Sequence, residues 1–120
     1  MKPPSPLGEF EQVVLLAALR LEDNAYGVSI RQEILKCTRR KVAPGALYTT
    51  LERLESKGLV SSKTGHPTPE RGGRAKRFYT VTTLGYRQIQ EAQQSFHRLL
   101  TGLNVLGEQP QQTTAKAKTL

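Results

Sequence analysis

At 120 residues the chain fits one small domain, short enough that a second copy is an expected source of further buried area. Its 18 Lys+Arg against 10 Asp+Glu leave a formal net charge of +8, which points to nucleic acid or another anionic surface, with a merely solubilising surface as the competing reading. The single Cys37 excludes an intrachain disulfide, and the longest apolar run, Val13 to Leu19, is far below the roughly 20 residues that span a bilayer, so a soluble, cytoplasmic protein without membrane contact is expected.

Residues 1–6, "MKPPSP", are too proline-rich for a helix and are expected to form a disordered tail. From Gly8 to Leu21, the residues Phe10, Val13, Val14, Ala17, Ala18 and Leu21 recur at helical spacing. Leu15, Leu16 and Leu19 widen that face, which predicts a helix buried on most sides. Asp23, Asn24 and Gly27 break the pattern. A second helix is predicted over Gly27 to Thr38, with Val28, Ile30, Ile34, Leu35 and Cys37 as its apolar residues. The "RRKV" that follows is a candidate short strand, and Cys37 is expected to be a small buried side chain.

The third helix is the best delimited. Leu47, Leu51 and Leu54 form one apolar stripe, Pro44 suits a first helical turn, and Gly58 suits the left-handed position past the end. "LVSSKT" and "AKRFYTV" read as the strands of an antiparallel hairpin. Pro67 and Pro69 cannot donate ladder hydrogen bonds, so pairing is expected to stop before them and leave Gly65 to Arg74 as a long open loop. Tyr79 is expected to turn inward with Val81, although the apolar Phe78 leaves the parity of the strand open. Thr82 or Thr83 can cap a last helix, which Leu84, Ile89, Ala92, Phe96, Leu99, Leu100, Leu103 and Leu106 continue for more than twenty residues. The remainder, 107–120, is polar and expected to be disordered.

Three helices followed by a hairpin is the order of a winged helix-turn-helix, in which the third helix enters the DNA major groove and the hairpin is the wing. The expected fold is therefore mainly α (α+β), with a DNA-binding domain over 7–82, a two-stranded wing, and a long C-terminal dimerisation helix over 83–106. Opposite the leucine stripe lie Gly45, Thr49, Glu52 and Ser56, flanked by Ala46 and Arg53. Small residues there let the backbone approach DNA, and Thr49 can meet a base edge or a phosphate. Tyr48 can reach a phosphate oxygen or serve as a half-buried core tyrosine. Glu52 is repelled by phosphate and must read cytosine or point away. Lys41, Pro44, Gly45, Ala46, Tyr48, Thr49 and Arg53 make up the candidate reading set. Arg71, Gly72, Gly73, Arg74, Lys76 and Arg77 make up the candidate wing, whose glycines permit a reversal and whose arginines suit phosphates or a narrow minor groove.

With these stretches in view, the sequence resembles the PadR family of transcriptional regulators. The matching text is "LGEFEQVVLLAALRL", "AYGVSIRQEI", "APGALYTTLERLESKGLV" and "PERGGRAKRFYTVTTLG", which covers Leu7 to Gly85 almost without gaps. The single helix after the wing resembles the compact subfamily. The resemblance implies a homodimeric, DNA-binding repressor whose DNA-facing positions fall on Pro44, Gly45, Ala46, Tyr48, Thr49 and the wing basics. Ala43 departs from it, because many relatives carry a capping Ser there; loss of that oxygen costs about 1 kcal/mol in typical hosts.

The stripe on the last helix is too long for one small domain to cover, so Leu84, Ile89, Phe96, Leu99, Leu100 and Leu103 are the expected dimer interface, with packing on the first helix of the same chain as the alternative. Two-fold pairing predicts a near-palindromic operator with half-sites roughly 34 Å apart. Some PadR relatives sense planar aromatic drugs or phenolic acids, which makes a small aromatic molecule a candidate effector; Phe96 is read first as core. Cys37, His66 and His97 match no metal-ligand spacing, so no enzyme, metal or cofactor is expected. The alternative function is a winged helix used for protein or RNA contact without operator binding.

Overall fold

The computed structural model describes residues 6–67 and 75–104. Helix α1 spans Glu9–Leu21 and leads through a single 3-10 turn, Glu22–Asn24, to α2 over Gly27–Thr38. Helix α3 spans Pro44–Ser56; strands β1 (Val60–Pro67) and β2 (Ala75–Val81) form the hairpin, and α4 spans Thr83–Leu100. The chain divides into two units, one ending at Ile89 and the other beginning at Gln90, within α4.

In the first unit a single apolar core is drawn from all three leading helices and the hairpin. Val14, Leu15, Ile30, Ile34, Leu47, Leu51, Leu54 and Leu59 are almost completely excluded from solvent. The starts of α1 and α2 are each closed by a side chain from the first turn. The Gly8 N–H donates to Glu11 Oε1 at 2.9 Å, and Lys57 Nζ donates to Oε2 of the same carboxylate at 2.9 Å. Glu11 thereby ties the start of α1 to the end of α3. Burial pushes its pKa up, but the Gly8 N–H and the Lys57 ammonium outweigh that and hold it below the ordinary value. At α2 the buried Ser29 hydroxyl accepts from the Tyr26 N–H at 2.9 Å and donates to the Asn24 carbonyl at 2.6 Å. The sequence reading did not single out Ser29.

The "RRKV" segment is not a strand. Arg39 adopts left-handed φ 62, the Arg40 N–H is taken by Thr38 Oγ1 at 3.1 Å, and Arg31 Nε donates to the Val42 carbonyl at 2.8 Å. The third backbone partner of the hairpin comes instead from ahead of α2. The Tyr79 N–H donates to the Ala25 carbonyl at 2.8 Å, and Tyr26 bridges Phe78. Cys37 is exposed, contrary to expectation. The buried residues of α2 are Gly27, Ser29, Ile30 and Ile34; Cys37 lies one turn further along, and its thiol points to Glu33 Oε2 at 3.6 Å.

Pairing in the hairpin runs antiparallel from Val60↔Val81 to Thr64↔Arg77. It does not stop before Pro67: after a register shift, Pro67 pairs with Ala75. The shift leaves one extra residue on β1, so Pro67 joins without having to donate a regular ladder bond. The parity of β2 is resolved with Tyr79 buried, Val81 packed on the core, and Phe78 on the other face in an edge-on pair with the Tyr26 ring, 5.5 Å between centroids.

Thr82 is the cap of α4: its Oγ1 accepts from the Gly85 N–H at 3.0 Å and donates to the Gly58 carbonyl at 2.7 Å. The helix ends at Leu100, earlier than expected, because the Leu103 N–H turns back to the Leu100 carbonyl and Gly102 takes a left-handed φ of 85. Leu106 lies outside the described residues.

Candidate nucleic-acid interface

Helix α3 divides cleanly into two faces. Leu47, Thr50, Leu51 and Leu54 are buried; Pro44, Gly45, Ala46, Tyr48, Thr49, Glu52, Arg53 and Ser56 are exposed. Thr50 alone departs from an otherwise apolar inward face. Ala43 stands at the cap position without a side-chain hydrogen bond, so the first turn keeps N–H groups that no cap satisfies. Nothing lies within 4 Å of where a Gly45 side chain would project, so the backbone there is open to an incoming surface. Tyr48 is 46% exposed, with its ring edge and hydroxyl against Gly27 at the start of α2.

The hairpin is fastened beside this helix. Ser62 Oγ donates to Glu55 Oε2 at 2.7 Å, across the join between β1 and α3. Tyr79, paired with Ser62, is buried next to it, and burial pushes its hydroxyl pKa up, while the Arg77 guanidinium beside it acts in the other direction. Glu55 and Tyr48 contribute smaller electrostatic effects on that hydroxyl. Arg77 thus shares the Tyr79 face of β2, at the last regular pair before the register shift. Lys76 lies on the opposite face of β2, its Nζ 4.2 Å above the Tyr26 ring. Arg71, Gly72, Gly73 and Arg74 lie outside the described residues.

The other basic residues near α3 have distinct roles. Arg40 is committed to α1 through Glu9, at 2.9 and 3.0 Å, and lies over the Phe10 ring. Lys41 is exposed. Among the described residues no three His, Cys, Asp or Glu side chains gather where a metal ion could be held, and no described helix is long and apolar enough to cross a membrane.

Residues 15–91 match the model of the "Transcriptional regulator PadR-like family". The chain belongs to the PadR-like family. A Mycobacterium tuberculosis protein named "Transcriptional regulator Rv3488" is 34% identical over 88 residues, which is 73% of this chain and 76% of that protein. A PadR-like transcription factor from Bacteroides fragilis superposes with a TM-score of 0.62 at 30% identity, covering 75% of this chain and 82% of the other. The protein F93 from STIV, a winged-helix DNA-binding protein, superposes with a TM-score of 0.63 at 15% identity over 82% of this chain and 98% of its own. The fold is thus the mainly α winged helix of PadR-like transcriptional regulators.

The residues expected to pair two copies occupy different environments. Ile89 is buried with the core of its own chain, so it needs no second subunit to cover it. It follows the capped first turns of α4, where Gly85 is buried too. Leu84 is exposed and Leu100 is half-buried. Further along, Phe96 is 63% exposed, Leu99 76% and Leu103 62%. Phe96, read first as core, lies in the second unit and is exposed in the single chain.

Proposed function

We propose that this PadR-like regulator is a cytoplasmic, homodimeric repressor that binds a near-palindromic DNA operator and is released by a small-molecule effector, acting by binding and not by catalysis. The observation that carries the reading is the solvent-facing side of α3: small residues at its start, open space at Gly45, and a basic hairpin fastened next to it by Ser62 and Tyr79. In such an arrangement Pro44 to Arg53 read bases while Lys76, Arg77 and the wing tip grip phosphates. The exposed Phe96, Leu99 and Leu103 support a partner subunit, since a stripe of large apolar side chains is costly to leave in water. A small aromatic molecule at that interface is the candidate effector.

The test is a titration of operator and random DNA across salt concentrations, using an inverted repeat protected by the protein near its own gene. Binding should weaken steeply with salt, and Lys76→Ala with Arg77→Ala should weaken both DNAs alike and lower the salt slope by about 2. An unchanged slope would remove the wing from the interface. Salt-insensitive binding, or none to any duplex, would favour protein or RNA contact instead.

A further inference from the structure

Gly27 is the first residue of α2 and is buried. A Cβ built on it would stand 2.0 Å from the Tyr48 hydroxyl oxygen, 2.7 Å from Cζ and 3.2 Å from Cε1. Its φ is not in the left-handed region, so the backbone does not require glycine there. As a helix former glycine is also the weaker choice, since alanine is favoured by up to about 1 kcal/mol at helical positions. The reason left for glycine is space, and Tyr48 fills that space. Gly45 has no such neighbour.

The Tyr48 ring is in turn not locked by the core. It is 46% exposed, with its ring edge and hydroxyl against Gly27. The backbone of α2 is thus a stop that fixes where the hydroxyl stands. We propose that Gly27 is a positioning residue for DNA recognition: its missing side chain lets the Tyr48 ring edge and hydroxyl dock on the start of α2, which sets where the hydroxyl stands beside the exposed face of α3. This rests on the reading above, in which Tyr48 contacts DNA.

Alanine at 27 would push the hydroxyl away by about 1 Å or more to reach an ordinary contact distance. The colliding atoms are the far end of a side chain that can swing into solvent, so the fold accommodates the change easily. Recognition does not, because such groups must be held within about 0.5 Å of their productive position. A purely structural glycine would behave in the opposite way, with stability lost first.

The experiment compares the full-length protein with Gly27→Ala, Tyr48→Ala and the double variant, each by thermal unfolding and by operator titration. Gly27→Ala should melt at or above the wild-type temperature, yet bind operator about tenfold more weakly, the equivalent of one charge-assisted hydrogen bond. Tyr48→Ala should weaken binding at least as much, and the double variant no more than Tyr48→Ala alone. If Tyr48→Ala weakens binding while Gly27→Ala matches wild type, or if the two effects add, the positioning role is overturned. If Tyr48→Ala itself binds as wild type, it is the contact between Tyr48 and DNA that fails. Should Gly27→Ala not fold, the double variant must fold again for the proposal to stand; if it also fails, the space at Gly27 serves something other than Tyr48.

Discussion

Gly85 offers a sharp test of the packing. It lies in the first turn of α4, and a Cβ there would stand 2.2 Å from the Leu59 carbonyl oxygen, 3.0 Å from its carbon and 3.0 Å from Val81 Cγ1. The first two obstacles are backbone, and that backbone is pinned. The Leu59 N–H donates to Leu54 at 2.9 Å, its carbonyl accepts from the Thr82 N–H at 3.0 Å, and Val60 next to it pairs with Val81. Gly85→Ala gains at most about 1 kcal/mol of helix propensity. Against this, relief of the clash requires about 1–3 kcal/mol of overpacking strain and the loss of a backbone hydrogen bond or the Thr82 cap, about 1 kcal/mol each. The net expectation is a destabilisation of about 1–3 kcal/mol, on the order of 5–20 °C in Tm for a domain of this size. Urea unfolding at one fixed protein concentration measures it, since association would otherwise shift the midpoint. A change below about 0.5 kcal/mol, or a gain, would mean that α4 does not start against Leu59 as described.

Two further outcomes are expected. Glu11→Gln should cost about 1–2 kcal/mol, because the Glu11 side chain is only 9% exposed and serves both the Gly8 N–H and Lys57. The folded-state pKa of Glu11 is lowered, so its contribution is complete above the ordinary value of 4.5 and is lost as pH falls through the folded value; acid unfolding of the variant should therefore lack part of the wild-type loss of stability below about pH 4.5. Leu99→Glu combined with Leu103→Glu should convert a dimer to monomers in sedimentation velocity without lowering the helical signal of the first unit, and a persistent dimer would move the interface elsewhere.

What was legible in the sequence was what local chemistry determines. Pro44 and Gly58 bracketed α3 because one lacks an N–H where none is needed and the other permits φ 77 just past the helix. Thr82 was visible as a cap for the same kind of reason. The failures lie where long-range packing decides. Cys37 has core spacing on α2, but the core ends a turn earlier. Ile89 has interface spacing on α4, but the chain itself covers it. The bond from Tyr79 to Ala25 joins residues 54 positions apart and leaves no local trace. Gly27 read as a turn former, and only the three-dimensional distance to Tyr48 gives it another purpose. The reading set on α3 was legible as an exposed face because its leucine stripe fixed the other side.

The irregular end of β1 bears on solubility in the crowded cell. A two-stranded sheet offers its outer backbone groups to any passing strand, and Ala25 and Tyr26 occupy only a short stretch along β2. Along β1, Lys63 is exposed, the register shift between Thr64 and Pro67 bends the ladder, and Pro67 has no N–H to give. A flat, uninterrupted strand in this place would invite copies to zip together edge to edge. The bulge and the proline deny them that template, so the hairpin can stand out from the helices without becoming a seed for aggregates.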